Sequence, residues 1–170
     1  MGMYKEAKKN VISGFKTRSE TYRSRLIKWH AEDPITKIAK PTNIARAREL
    51  GYRAKQGVIV ARVRVVGGKK HRKRADGGRK PSKSASYYTR HKSLKQIAEE
   101  KAARKFLNCE VLNSYFIGNA GAENYYEVIL LDRANSAISS DRIYGSIISQ
   151  RGRAFRAATH AGKKARGIYK

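Results

Sequence analysis

The chain has 170 residues, room for one domain with extensions, and 40% of them are hydrophobic, which suffices for a real core and excludes a wholly disordered polybasic tail. Its 39 Lys and Arg against 13 Asp and Glu give a formal charge of +26, so a free globule repels itself and a polyanionic partner is the natural inference, nucleic acid well ahead of a membrane surface. No apolar run approaches the ~18 residues of a spanning helix, and the start MGMYKEAKKN has neither a signal peptide's apolar centre nor the Ser or Thr of a myristoylation motif.

Tyr4, Ala7, Val11 and Phe15 recur at helical spacing and predict a first amphipathic helix. Thr17-Arg18-Ser19-Glu20 reads as a capping box, with the Thr17 hydroxyl and the Glu20 carboxylate satisfying free N–H groups at the start of a second helix. That helix places Tyr22, Leu26 and Trp29 on one side. Arg18, Arg23, Arg25 and Lys28 fall between them, and the total charge favours an RNA-facing surface over a merely solvated one. Pro41 and Thr42 open a short helix through Ile44, Ala47 and Leu50, which Gly51 ends as a left-handed residue followed by the apolar contact of Tyr52.

GVIVARVRVV then alternates as a strand does. Ile59, Ala61, Val63 and Val65 take one face and Arg62 and Arg64 the other, while Val58 and Val60 make only the second face's C-terminal half an exposed one. The next stretch, VGGKKHRKRADGGRKPSKSASYYTRHK, interrupts this foldable pattern. A disordered linker, a targeting signal and a loop that folds on nucleic acid are its three readings. Residues 67–92 carry net +9 with Asp76 as the one acid, whereas residues 93–132 carry net −2 and residues 151–170 net +7 with no acid. A near-neutral part able to fold like an ordinary protein is thus surrounded by basic parts.

After the loop, Ser93 and Gln96 form a second capping box, and Leu94, Ile97, Ala98, Ala102 and Phe106 make an apolar helical stripe. Glu99 and Glu100 read as a surface pair of that helix; adjacent positions do not face each other, so they are no acid/base couple. CEVLNSYFIG and NYYEVILLD are two strands joined through the turn-rich GNAGAEN as an antiparallel hairpin, with Cys109 a small buried filler. A lone cysteine excludes an internal disulfide and a thiolate zinc cluster. YGSIIS is a short helix, and the tail beyond it holds few large apolar groups.

The order β–α–β–long loop–α–β–β with helices in front predicts an α+β fold, a small mostly antiparallel sheet with packed helices. The expected division is basic helices over 1–34, a core over 35–150 interrupted by a basic loop at 67–92, and a basic C-terminal extension over 151–170. His30, His71, His91 and His160 show no ligand or triad spacing, and Gly67-Gly68 and Gly77-Gly78 fit no Walker or dinucleotide fingerprint. These readings point away from an enzyme, a metal site, a cofactor and a small-molecule substrate. The basic parts supply their own chemistry. Lys and Arg neutralise phosphates and release counterions, Arg adds a planar fork, and Tyr87 and Tyr88 beside Arg90, His91 and Lys92 read either as rings for unpaired bases or as core tyrosines.

From PTNIARARELGYRAKQGVIVARVRVVGGKKHRKR onward the chain resembles the archaeal and eukaryotic large-subunit ribosomal protein family called fifteen-e. EEKAARKFLNCEVLNSYFIGN, YYEVILLD and THAGKKARG continue the likeness, in order and spacing, over about residues 40–167. Members of that family usually have Ser where His160 stands here and commonly Pro where Arg133 stands, and many run further beyond the last motif. The resemblance implies a small α+β domain whose extensions are buried in large-subunit ribosomal RNA. It implies contacts from Arg46, Arg48, Arg53, Lys55 and Gln56 in the first block, and from Lys69, Lys70, Arg72, Lys73, Arg74, Arg79 and Lys80 in the loop. In the tail it implies Thr159, His160, Gly162, Lys163, Lys164 and Arg166. Arg62, Arg64, Lys83, Arg90 and Lys92 join them from the strand and loop, and Arg151, Arg153 and Arg156 from the tail.

The leading expectation is therefore a structural, rRNA-binding constituent of the large subunit. It would sit in the cytoplasm beside neighbouring ribosomal proteins, with no membrane partner. A nucleic-acid chaperone acting off the ribosome is the second reading. An RNA-modifying enzyme is the third, and it needs a catalytic constellation that the sequence does not display.

Overall fold

A computed structural model describes residues 2–71, 73, 75–85 and 87–168. Two helices come first, α1 (Met3–Thr17) and α2 (Glu20–Ala31), followed by β1 (Ile35–Ile38), α3 (Ile44–Glu49) and β2 (Val58–Val66). The basic loop holds β3 (Lys70–His71), a 3-10 turn (Pro81–Lys83) and β4 (Tyr87–Tyr88). Then come α4 (Leu94–Lys105), β5 (Cys109–Ala120), β6 (Glu123–Asp132), α5 (Ser136–Ser139), α6 (Arg142–Ile148) and α7 (His160–Ala165). Strands β1-β2-β6-β5 form one sheet, antiparallel at every pairing, so the expected α+β architecture holds.

β6 is central, and its seven residues Tyr125 to Leu131 are all buried. A strand covered on both faces reads as a continuous apolar run, as YYEVILL does, rather than an alternating one. Val128 and Leu130 pack with Ala61, Val63, Val65 and Val111 under Ala98 and Ala102 of α4. Ile129 and Leu131 face the other way, towards Ala47 of α3, Ile138 of α5 and Tyr144 of α6. The β5–β6 hairpin is tighter than its glycines suggest, since the strands run on to Ala120 and from Glu123 and leave two residues for the turn.

Three helix starts differ from the expected ones. Thr17 stays inside α1, its hydroxyl donating to Ser13 O at 3.0 Å; Ser19 caps α2 instead, accepting the Tyr22 N–H at 3.4 Å. The left-handed Arg18 (φ 48°) makes the turn between the helices, which moves the cap two residues on. Asn43 rather than Pro41 or Thr42 caps α3, accepting from Arg46 N at 2.9 Å. Only half of the second capping box forms. Ser93 accepts the Gln96 N–H at 3.2 Å, but the Gln96 amide donates to Glu100 at 3.5 Å instead of reaching back. The end of α3 is as expected: with Gly51 at φ 95°, the N–H groups of Gly51 and Tyr52 donate to Arg48 O (3.0 Å) and Ala47 O (2.9 Å), the paired bonds of a Schellman motif.

Thr42 is free of capping because it serves Glu127, a carboxylate buried within β6. The Thr42 N–H donates to both carboxylate oxygens at 3.2 and 3.1 Å, its hydroxyl donates at 2.6 Å, and the Tyr115 hydroxyl donates to Oε2. Burial raises this carboxyl above its ordinary range while the Thr42 and Tyr115 hydrogen bonds pull it back. The result is a polar rivet between the segment entering α3 and two strands of the sheet. Tyr115→Phe removes one donor from a buried acceptor and is expected to cost about 1–3 kcal/mol, several degrees in thermal melting. Tyr4→Phe on the 45% exposed α1 face should melt nearly as the parent does. Equal melting of both variants would show that the rivet carries no stability.

Candidate nucleic-acid interface

The expected contact residues divide into those the fold uses and those it leaves on the surface. Arg62 and Arg64 correct the expectation of an exposed strand face, because α2 covers it. The Arg62 side chain is only 12% exposed, pairs with Glu32 at 2.5 Å, and its guanidinium lies 4.9 Å from the Trp29 ring centroid. Arg64 donates to His30 O at 2.8 Å and lies 3.6 Å from Glu123. His30 binds that same carboxylate at 2.9 Å, which, with the Tyr125 hydroxyl, holds Glu123 below its ordinary range.

Two residues of the tail motif are structural as well. Thr159 is fully buried; its hydroxyl caps α7 by accepting the Gly162 N–H at 3.2 Å and donates to Glu99 Oε2 at 2.5 Å. Gly162 is buried against the Ala157 backbone, where an added Cβ would stand 2.4 Å from that Cα. The glycine is there for close packing and has no surface to offer a phosphate. Arg153 is partly buried, its Nε donating to Val111 O at 3.1 Å and its backbone N–H to Glu110 at 3.3 Å. These contacts fasten the start of the tail to β5.

Glu99 and Glu100 correct the sequence reading of a surface pair, since both are buried. Glu99 Oε1 accepts from Ser114 and Oε2 from Thr159, so this one carboxylate joins α4, β5 and the segment entering α7. Burial raises its pKa, opposed by those two hydroxyls and by the charges of Lys95 and Arg153. Glu100 takes Lys92 Nζ at 2.7 Å. An α4 helix packed under the sheet on one side and the tail on the other has little truly exposed face, which a single apolar stripe does not reveal.

Other expected contacts stay near the surface. Arg46 pairs with Glu49 at 2.5 Å, Arg48 lies 5.0 Å above the Tyr4 ring, and Lys55 pairs with Asp141 at 3.0 Å. Arg53 and Gln56 are exposed, as are Lys69, Lys73, Arg79, Lys80 and Lys83 of the loop and Arg151, Arg156 and Arg166 of the tail. Lys70 lies in β3, paired with Tyr88 of β4, so a two-stranded ribbon closes the base of the loop. Arg72 and Arg74 lie outside the described residues. Lys163 is half-buried on α7.

The structure brings the end of the loop and the tail together. Arg90, His91 and Lys92, the first turn of α4 with Ser93 and Lys95, and His160 and Lys164 of α7 line one cleft of about 490 Å³ with no carboxylate in its wall among the described residues. Residues some seventy positions apart in the chain meet there, and the positive end of the α4 dipole adds to their field. Lys95 was not among the expected contacts; it lies within a helix that reads as ordinary. Burial lowers its pKa, Arg46 and Lys164 press the same way, and Glu99 opposes them. A cation so placed gains from an anion that enters the cleft. Among the described residues no group of three or more His, Cys, Asp or Glu is placed to hold a metal ion, and no helix is long and apolar enough to cross a membrane.

A two-faced α+β core wrapped in cationic segments is what the sequence motifs led one to expect of a ribosomal protein, and comparison with known proteins agrees. The chain belongs to the Ribosomal L15 family, whose model matches residues 2–170. Large ribosomal subunit protein eL15 of Metallosphaera sedula is 48% identical over 151 residues, which cover 87% of this chain and 70% of that protein. After β6 the Arg133 N–H donates to Asn108 O at 3.1 Å, while Asp132 accepts from Ala134 N at 3.0 Å.

The buried Glu99 makes a test by pH. Because its pKa is raised in the folded state, the unfolded chain ionises first, and the stability this group contributes at acid pH is lost as pH rises through the folded value. Glu99→Gln does not titrate. Its melting temperature relative to the parent is therefore expected to improve as pH rises above the ordinary glutamate value of about 4.3. A difference that stays flat as pH rises would mean that the carboxyl is unshifted.

Proposed function

We propose that this protein is a structural constituent of the large ribosomal subunit that binds and stabilises folded large-subunit rRNA and so supports translation in the cytoplasm. The observation that carries the reading is the carboxylate-free cleft in which loop, α4 and tail present Arg90, Lys92, Lys95 and Lys164 to a single space. Family membership supplies the ribosome; the charge distribution supplies the RNA. The core, with its acids paired internally, fixes position, and the cations of 67–92 and 151–170 screen phosphate repulsion so that separate rRNA helices can approach. Neighbouring large-subunit proteins are the other partners. The role asks for no catalytic group, cofactor or small-molecule substrate.

Arg62, Arg64, Thr159 and Gly162 act in this reading by holding the framework. The contacts fall to Arg90, Lys92, Lys95 and Lys164 in the cleft and to the exposed Lys and Arg of the loop and tail, with Arg46, Arg48, Arg53 and Gln56 on the α3 side. Replacing Arg90, Lys95 and Lys164 together by Gln is expected to flatten the log–log salt dependence of rRNA binding by roughly 0.7–0.9 for each phosphate contact removed. Thermal melting should change little. An unchanged slope would remove the cleft from the interface. Sedimentation decides the ribosomal assignment itself: the tagged protein is expected with the large subunit at physiological salt, and recovery in the free fraction would favour a chaperone acting elsewhere.

A further inference from the structure

A second concavity, unlike the first, is walled by aromatic rings. It encloses about 550 Å³ between Val11 and Phe15 of α1, Tyr22 and Trp29 of α2, and Phe116 and Ile117 of β5. Arg25, Asn10, Thr42 and Asn43 line it as well, and no carboxylate does among the described residues. The helix α1 buries none of its residues. Phe15 and Phe116 meet edge to face at 5.8 Å yet remain 37% and 43% exposed. The apolar spacing that makes α1 a helix thus supplies one wall of an open groove rather than a core.

Size, charge and chemistry select the occupant. The volume suits a nucleoside-sized group and is too small for a folded element. Residues 3–31 carry eight basic and two acidic side chains, so these helices draw a polyanion towards the groove. Rings stack on any base through their π faces, and the Asn10 amide in the lining suits a base edge. A cationic peptide would meet like charge at the entrance.

We propose that this groove receives an unstacked nucleobase of large-subunit rRNA, stacked on Phe15 or Phe116 with Arg25 at the flanking phosphate. The inference rests on the ribosomal reading and adds to it a site that reads bases where the cleft reads phosphates.

Trp29 is the single tryptophan of the chain and stands in the groove wall, so its fluorescence reports occupancy. The full-length protein is titrated with single-stranded oligoadenylate and with an abasic oligomer of the same length and charge. Oligoadenylate is expected to quench Trp29 and to bind roughly tenfold more tightly than the abasic strand. Phe116→Leu should erase that difference and leave the salt slope intact. Should this variant melt early, ultraviolet crosslinking of purified large subunits gives an independent readout, with base adducts expected on the peptides bearing Phe15 or Phe116. Equal affinity for the two strands, or no base adduct on those peptides, overturns the proposal. Quenching by polyglutamate and not by oligoadenylate also overturns it and makes the groove a seat for an acidic protein segment. If both strands fail to bind with any salt dependence, the rRNA reading falls too, an outcome distinct from a loss of base preference alone.

Discussion

Negative charge is the scarce material of this chain, and where it is placed determines the rest of the structure. Thirteen carboxylates face 39 Lys and Arg, yet two of the thirteen, Glu99 and Glu127, are withdrawn from water altogether. A buried carboxylate is tolerated only with donors at fixed positions around it, and removing one donor leaves the desolvation cost unrelieved. Each of the two therefore dictates where another segment must lie. Glu127 requires Thr42 ahead of α3 and Tyr115 on β5; Glu99 requires Ser114 on β5 and Thr159 ahead of α7. Both clamps tie a segment outside the sheet to the sheet itself.

Other acids extend the same arrangement outward. Glu32 and Glu123 hold Arg62 and Arg64 beneath α2, Glu49 joins α1 to α3 through Lys8 at 2.8 Å, and Glu110 receives the Gly152 N–H at 2.8 Å where the tail begins. Carboxylates used in this way leave the loop and the tail with little internal compensation. The high net charge is consequently concentrated in particular places: a framework in which Arg46, Lys55, Arg62 and Arg64 are paired with carboxylates, and a loop and tail rich in Lys and Arg.

Much of this was legible in the sequence where a pattern repeats. Period-two alternation in GVIVARVRVV, the apolar run of β6, the Gly51 helix end and the Ser93 cap all appear as read, because each rests on local geometry. What was not legible depends on partners distant in the chain. Arg62 and Arg64 occupy the face that alternation assigns to solvent, and only the docking of Trp29 and Glu32 turns that face inward. Glu99 looks like any helix-surface glutamate until the tail closes over it. Ser19 and Thr17 compete for one cap, and the left-handed turn at Arg18, disfavoured for a residue with a side chain, decides between them.

The tail motif shows most clearly why a shared pattern does not assign a shared role. In THAGKKARG, a family likeness invites every residue to the RNA. Geometry divides them: Thr159 and Gly162 look inward, one capping α7 and binding Glu99, the other allowing α7 to lie against Ala157. Because those two are fixed, Lys164 arrives beside Lys95 and Arg90 in one cleft rather than trailing into solvent. A short six-residue helix with few apolar side chains has little intrinsic stability, so its place is set by the hydroxyl and the missing Cβ. The cations of the cleft are thus positioned by residues that look inward, and the inward-facing half of the motif is the condition for the outward-facing half to converge there.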